Sequence, residues 1–313
     1  METVTALHPG LWQISLPFQG EHGIVGCYLL AGENELAVID PGPTTTLDTL
    51  LSAIHEAGYS PEAITHILLT HIHLDHAGAT GNLLQHTPQA RVYVHGLGAP
   101  HLLDTTKVVA SATRIYGERM QSLWGEIRPV PAQRLQVLEQ GDTLTLCERS
   151  LEVHYTPGHA IHHIIFFDPR SRELFAGDVA GVRLQEVDYV RPPTPPPDLD
   201  LEAWTESIAT MSHLQPSALY LAHFGPTYQV ERHLQSLLQN LTQWGDLTLR
   251  ELQNGYDVDQ ILEHFIAQTQ PDLYAIAHDE NTLRRYEIAT NYPMTVQGYL
   301  RYWKKRHPER MDK

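Results

Sequence analysis

The stretch that decides the reading of this chain is Thr70-His71-Ile72-His73-Leu74-Asp75-His76-Ala77-Gly78. It follows directly on the apolar run His66-Ile67-Leu68-Leu69, so four ligand-type side chains fall within six positions at the end of a strand. Residues leaving a strand alternate faces, and a tight turn brings His71 and His73 to the same side. Asp75 and His76 open the helix expected from about Ala77 to Gln85, where a carboxylate gains from the positive helix end. Two imidazoles directed one way, and a carboxylate with an imidazole the other, point to two adjacent cation sites. Imidazole and carboxylate donors suit zinc, and also iron or manganese. The chain holds 20 His, so a single histidine carries little weight; the spacing carries it.

Three later residues extend the set. His159, Asp178 and His223 each follow an apolar stretch and stand beside glycine, in Pro157-Gly158-His159, Ala176-Gly177-Asp178 and His223-Phe224-Gly225. A metal ion that ionises water supplies a nucleophile at neutral pH, so the pattern names a class of reaction.

The run is similar to the HxHxDH signature of the metallo-β-lactamase superfamily, and the rest of that family's pattern occurs in order. Val25-Gly26-Cys27-Tyr28-Leu29-Leu30 and Leu36-Ala37-Val38-Ile39-Asp40-Pro41-Gly42 resemble its first hairpin and Asp-x-Gly turn. Tyr155-Thr156-Pro157-Gly158-His159, Leu174-Phe175-Ala176-Gly177-Asp178 and Leu219-Tyr220-Leu221-Ala222-His223 resemble its later motifs. The resemblance runs from about Leu11 to Gly225. It implies a four-layer αββα sandwich and two divalent metal ions, zinc first, with iron or manganese as alternatives. By it, His71, His73 and His159 hold one ion, Asp75, His76 and His223 the other, and Asp178 bridges both. A bridging hydroxide then attacks an ester, thioester, lactone or phosphoester, with Asp75 and Asp178 as the catalytic carboxylates and Asp75 or a metal-bound water passing a proton to the leaving group.

Within the superfamily the complete ligand set resembles the glyoxalase II and N-acyl-homoserine lactonase branches. The β-lactamases proper lack an aspartate at the position of Asp178. Glyoxalase II carries a Cys-Gly-Lys-Phe-type segment after the bridging aspartate, where this chain reads Val179-Ala180-Gly181-Val182-Arg183-Leu184-Gln185. The expectation is therefore a hydrolase of small-molecule esters, thioesters or lactones. The alternatives are an iron-dependent, persulfide dioxygenase-like oxidoreductase, a phosphodiesterase and a non-catalytic metal-binding protein.

Composition agrees with a small-molecule enzyme. A formal net charge of −16, from 21 Lys and Arg against 37 Asp and Glu, disfavours nucleic acid, whose phosphates reward basic faces. Cys27 and Cys147 are the only cysteines; they read as buried thiols of a reducing compartment rather than a disulfide framework. There is no charged-then-apolar leader and no apolar run near 18 residues, so the expectation is a cytoplasmic protein with no membrane partner.

Strand-like runs are expected at Leu11–Leu16, Gly26–Ala31, Glu35–Asp40, 66–70, Arg91–His95, Asp142–Cys147, Leu151–Thr156, His162–Asp168 and Ala218–Ala222. Helical periodicity covers Thr46–Ala57, Thr105–Trp124 and Leu201–Leu214. Beyond Gly225 the pattern is helical throughout: Gln229–Trp244, Leu247–Leu252, Val258–Thr269, with an aspartate cap at 257–259, and Leu283–His307. Gly255 and Pro271 act as breaks. The division is a catalytic domain at 1–227 and a helical extension at 228–313, through which the chain could form a homo-oligomer. The proline-rich Arg191-Pro192-Pro193-Thr194-Pro195-Pro196-Pro197-Asp198 reads as a stiff surface connection, with Tyr189 and Arg191 as candidate substrate contacts. Alternation in the expected strand sends His162 and His163 to opposite faces, with one of them or His154 steadying a ligand. The basic end Arg301–Arg306 reads as a solvated last turn complementing the helix dipole.

Overall fold

Gly23–Leu30 is buried at every position, as a strand must be when it has a layer on each face. It lies in β3 (Glu21–Ala31), which forms a long hairpin with β2 (Leu11–Phe18). The computed structural model describes residues 2–185 and 187–306. In the first sheet β1 (Val4–His8), β2, β3, β4 (Leu36–Ile39), β5 (Ile64–Leu68), β6 (Arg91–His95) and β7 (Leu135–Leu138) pair in chain order. The pairings are antiparallel from β1 to β4 and parallel from β4 to β7. The second sheet runs β13-β12-β11-β10-β9-β8, from β8 (Thr143–Leu146), β9 (Arg149–Tyr155), β10 (Ile164–Asp168) and β11 (Glu173–Gly177) to β12 (Ala218–Leu221) and β13 (Gly225–Thr227). Only the β11–β12 pairing is parallel there.

The inner faces of the two sheets meet through Tyr28, Leu30, Ile39, Leu68, Val153, Phe166, Phe175 and Tyr220. The outer face of the first sheet is covered by α1 (Leu47–Glu56), α2 (Leu74–Ala77), α3 (Thr80–Leu83), α4 (Ala99–Leu103), α5 (Thr106–Tyr116) and α6 (Met120–Trp124). The outer face of the second carries α7 (Leu201–Leu214), whose start is capped by the Asp200 carboxylate accepting from the Ala203 N–H. Over it pack α8 (Val230–Gln253), α9 (Val258–Ala277), α10 (Glu280–Ala289) and α11 (Tyr292–Arg306). The αββα order is the expected one. No described helix is long and apolar enough to cross a membrane, and both cysteines are buried and unpaired.

The helical region differs from its sequence reading in three places. One helix, α8, replaces the two expected. Gly245 sits inside it because the missing side chain admits the Tyr299 ring and Leu201, and its carbonyl accepts from Trp303 Nε1 at 2.9 Å. Helix α9, opened by the capping box of Asp257 and Gln260, runs straight through Pro271. The buried Phe265, Thr269 and Leu273 on either side of that proline anchor the helix more strongly than one missing N–H weakens it. Conversely, the expected helix over 283–307 divides in two: the Asp279 carboxylate starts α10 early by accepting from Thr282 N–H, Thr290 leaves it with extended backbone, and Asn291 Oδ1 accepts from Met294 N–H at the start of α11. His307 falls outside the described residues.

His233 ties this region to the sheet that carries Asp178: its Nε2–H donates to the Ala180 carbonyl at 2.7 Å. Burial pushes its pKa down to about 4. The unfolded chain then binds that proton more readily, so the contribution is complete above about pH 6.5 and is lost as pH falls toward 4. His233→Gln keeps an amide donor without a titrating group. Urea unfolding at pH 7 and pH 4.5 should show the wild type losing about 2 to 3 kcal/mol more than the variant; equal losses would count against a buried neutral His233.

Candidate metal centre

Five strands end at one place. His71 and His73 lie just past the carboxyl end of β5, His159 past β9, Asp178 immediately after β11 and His223 past β12, while Asp40 follows β4. In layered α/β folds ligands gather at such carboxyl ends. The layers are stitched together at this point, with Ile164 N–H donating to the Thr70 carbonyl at 2.8 Å and Gly26 N–H to the Ala222 carbonyl at 2.7 Å.

All seven candidate ligands come together, in two groups: His71, His73, His159 and Asp178, then Asp75, His76 and His223, with the donor atoms of each group within 4.8 Å of one another. His73 Nδ1 stands 3.0 Å from both His71 Nε2 and His159 Nε2. Asp178 lies between the groups. Its Oδ2 is 3.3 Å from His159 Nε2 and 3.9 Å from His71 Nε2. Its Oδ1 is 3.2 Å from His76 Nε2 and 3.4 Å from His223 Nε2. Asp75 Oδ2 completes the second group at 3.3 Å from His223 Nε2 and 3.5 Å from His76 Nε2.

Four of the five imidazoles are held from behind. Thr70 Oγ1 donates to Asp40 Oδ2 at 2.7 Å and therefore accepts from His71 Nδ1–H at 3.0 Å. His76 Nδ1–H donates to the same carboxylate oxygen at 3.2 Å. His159 Nδ1–H donates to the Pro193 carbonyl at 2.8 Å, and His223 Nδ1–H to the Ile24 carbonyl at 2.6 Å. Each arrangement takes up Nδ1–H and turns Nε2 toward the centre, where a cation could replace a proton, the role that outer partners of a metal-ligating histidine serve.

His162 and His163 depart from the sequence reading. Strand β10 begins only at Ile164, so both precede it in a turn, alternation does not apply, and both are buried. His163 Nε2 accepts from the Asp178 and Val179 N–H groups at 3.2 and 3.4 Å, and its Nδ1–H donates to Thr156 Oγ1 at 3.0 Å. It therefore fixes the backbone of Asp178. His162 Nδ1 lies 3.4 Å from the Ile72 N–H, while His154 sits within β9 beside Glu152. Two glycines are required nearby. At Gly177 (φ +51°) a Cβ would fall 2.6 Å from Thr70 Oγ1 and 2.7 Å from His163 Nε2. At Gly158 (φ +128°) it would meet the Trp204 backbone at 2.4 Å.

The electrostatics divide the groups. Burial, then the neighbouring histidines, push His71 well below the usual imidazole range, and burial brings His159 down to about 4 against the pull of Asp178. On His76 burial also opposes a proton, but Asp178 and Asp75 outweigh it and raise the pKa well above that range; His223 is raised for the same reason. Burial alone would neutralise Asp178, yet His76, His223 and His159 keep it ionised. Asp178 Oδ1 and His76 Nε2 are buried and have no hydrogen-bond partner among the described residues. Orphaned donor atoms, converging lone pairs and two carboxylates fit divalent cations.

Tyr189 and Arg191 do not join these groups. Tyr189 is 7% exposed with its ring against Tyr286, and Arg191 is wholly buried over the Tyr292 ring. The proline-rich segment from Arg191 to Thr194 is likewise buried rather than a surface connection, so the placement of both residues supports packing instead of substrate contact. The side of the site that reaches solvent is that of His73 and of Asp75, whose side chain is 22% exposed. Toward it lies Tyr116, whose phenol is raised to about 12 by burial and then by the charge of Asp75. An apolar crevice lined by Ile72, Leu74, Leu102 and Val108 runs beside the same turn. Arg301, Lys304 and Lys305 line a separate open cleft of about 900 Å³ with Pro196–Asp198, whereas Arg306 pairs with Glu202. Asp40 is the residue the site reading missed; its signal was the Asp-x-Gly turn.

The metallo-beta-lactamase superfamily matches residues 21–223. A metallo-beta-lactamase fold-containing protein of Sulfurisphaera tokodaii is 28% identical, over 69% of this chain and 79% of its own length. A hydroxyacylglutathione hydrolase of Salmonella paratyphi A is 30% identical over 47% of this chain and 43% of its own, and a thioesterase of Emericella nidulans 29% over 51% and 34%. The chain thus spans less than half the length of either enzyme. The crystal structure of a metallo-beta-lactamase family protein from Thermus thermophilus shares the fold at a TM-score of 0.71 and 22% identity, covering 96% of this chain and 95% of that one. Sequence match, fold and converging ligand set agree: the chain belongs to the metallo-beta-lactamase superfamily.

Proposed function

We propose that this chain is a dinuclear metal-dependent hydrolase of a small-molecule ester, thioester or lactone. The observation that carries the proposal is Asp178, which directs one carboxylate oxygen to each group of ligands. His71, His73 and His159 would hold one ion, Asp75, His76 and His223 the other, with Asp178 shared. Two such ions, zinc by donor type, supply ionised water at neutral pH and stabilise negative charge that develops on the substrate. The protein's part is orientation and proton transfer. The outward hydrogen bonds of His71, His76, His159 and His223 keep four Nε2 atoms aimed inward before substrate arrives. Against burial, His76 and His223 hold Asp75, the carboxylate that meets solvent, ionised, so it would first take a proton from the attacking water and then pass it to a leaving group. The hydroxyacylglutathione hydrolase and thioesterase relatives support cleavage at a thioester carbonyl, and the net charge of −16 supports a small molecule over nucleic acid.

Elemental analysis should find about two transition-metal ions per chain, and turnover should appear in a panel of thioesters, lactones, aryl esters and phosphodiesters. Asp178→Ala should lose metal and lower kcat/KM by on the order of 10³-fold, about 4 kcal/mol; full metal content with retained turnover would remove Asp178 from its role. Because imidazole must be neutral to bind a cation, activity should fall below about pH 6, and an acid optimum would speak against the reading.

A further inference from the structure

We infer that the buried Arg191 is a positioning residue through which the C-terminal helices hold His159 in its metal-binding tautomer. The inference rests on the proposed metal site. His159 leaves Nε2 bare because its Nδ1–H is taken by the Pro193 carbonyl at 2.8 Å. That acceptor belongs to no helix or strand, so its position is set by what grips the segment around it. Helical side chains supply most of the grip. Tyr286 Oη–H donates to the Tyr189 carbonyl at 2.7 Å, Asn240 Nδ2 donates to the Val190 carbonyl at 2.7 Å, and Thr194 Oγ1–H donates to the Thr295 carbonyl at 3.2 Å. The close approach of Gly298 to the Thr194 carbonyl leaves no room for a Cβ.

Arg191 occupies the middle of this segment and reaches deepest. Its backbone exchanges two 2.8 Å hydrogen bonds with Val182. Its guanidinium lies 3.7 Å from the centre of the Tyr292 ring and 5.8 Å from that of Trp244, with Nη2 2.8 Å from Glu287 Oε1. Among the described residues none of its guanidinium nitrogens makes an aligned hydrogen bond. The charge is therefore compensated, among the described residues, by a carboxylate and ring faces that α8, α10 and α11 supply together. A buried cation so held is satisfied in one arrangement of segment and helices, and that arrangement places the Pro193 carbonyl behind His159.

The test is a cobalt titration of the metal-free, full-length chain, followed by the absorption spectrum of the bound ion. The wild type should take up about two ions. Arg191→Met fills the volume and leaves Glu287, one-third exposed, to solvent; one of the two ions should bind 10–100-fold more weakly, with an altered spectrum. Glu287→Gln, which strands the arginine charge but keeps its bulk, should shift the same ion and covers the case in which Arg191→Met fails to fold. In a His159→Ala background Arg191→Met should add no further loss, because the two act in series. Ile261→Val, a core change in α9, should lower the urea midpoint and leave the titration untouched. Wild-type affinity and spectrum in both folded variants, or additive losses with His159→Ala, would overturn the positioning role while leaving the metal site intact. A wild type that binds no cobalt would overturn the metal site, and the clamp with it.

Discussion

A carboxylate sealed among imidazoles is the constraint on which the structure turns. Asp178 is buried, and a lone carboxylate there would be driven to take up a proton. Four Nε2 atoms within 3.9 Å of its oxygens make that burial tolerable, and two cations would make it favourable. The surrounding fold serves this arrangement. Gly177 adopts a conformation that brings the strand end close to Thr70, His163 accepts the N–H of Asp178, and β5, β9, β11 and β12 all deliver ligands to the same edge.

Such a site needs support from both sheets and from the helices over them. Asp40, at the end of β4, serves two histidines at once: directly at His76 and through Thr70 at His71. Ile24 in β3 holds His223. Pro193, in a segment gripped by α8, α10 and α11, holds His159. The helical region is thus connected to the chemistry through a carbonyl and not merely stacked on the second sheet. Trp204 shows the same economy: its indole N–H donates to the Val179 carbonyl at 2.7 Å, and its ring lies edge-on to His159.

Much of this was legible in the sequence. Strand β6 and helix α7 fall at the expected residues, because continuous apolar runs and three-to-four periodicity report burial directly. The ligand set was legible because donors spaced by one and two residues after a buried strand serve few structural ends. What was illegible shares one cause: it depends on contacts between distant segments. Pro271 reads as a break, but Phe265 and Leu273 bury against neighbouring helices and carry α9 across it. Two helices were expected at 229–244 and 247–252, yet Gly245 between them is a point of close approach for Tyr299 inside one helix. His162 and His163 read as alternating strand residues, but the strand starts two residues later than expected, at Ile164.

The sequence by itself determined the donor types and their order along the chain, because covalent spacing is a local property, and its motifs implied the layered αββα architecture by resemblance. Tertiary structure alone decided which backbone carbonyls stand behind the histidines, that His163 anchors Asp178, and that Arg191 lies in the core rather than at the mouth of the site. Those facts depend on pairs such as His223 with Ile24 and His159 with Pro193, 199 and 34 residues apart. Each carbonyl looks like every other in sequence, and only packing selects the one that accepts the proton.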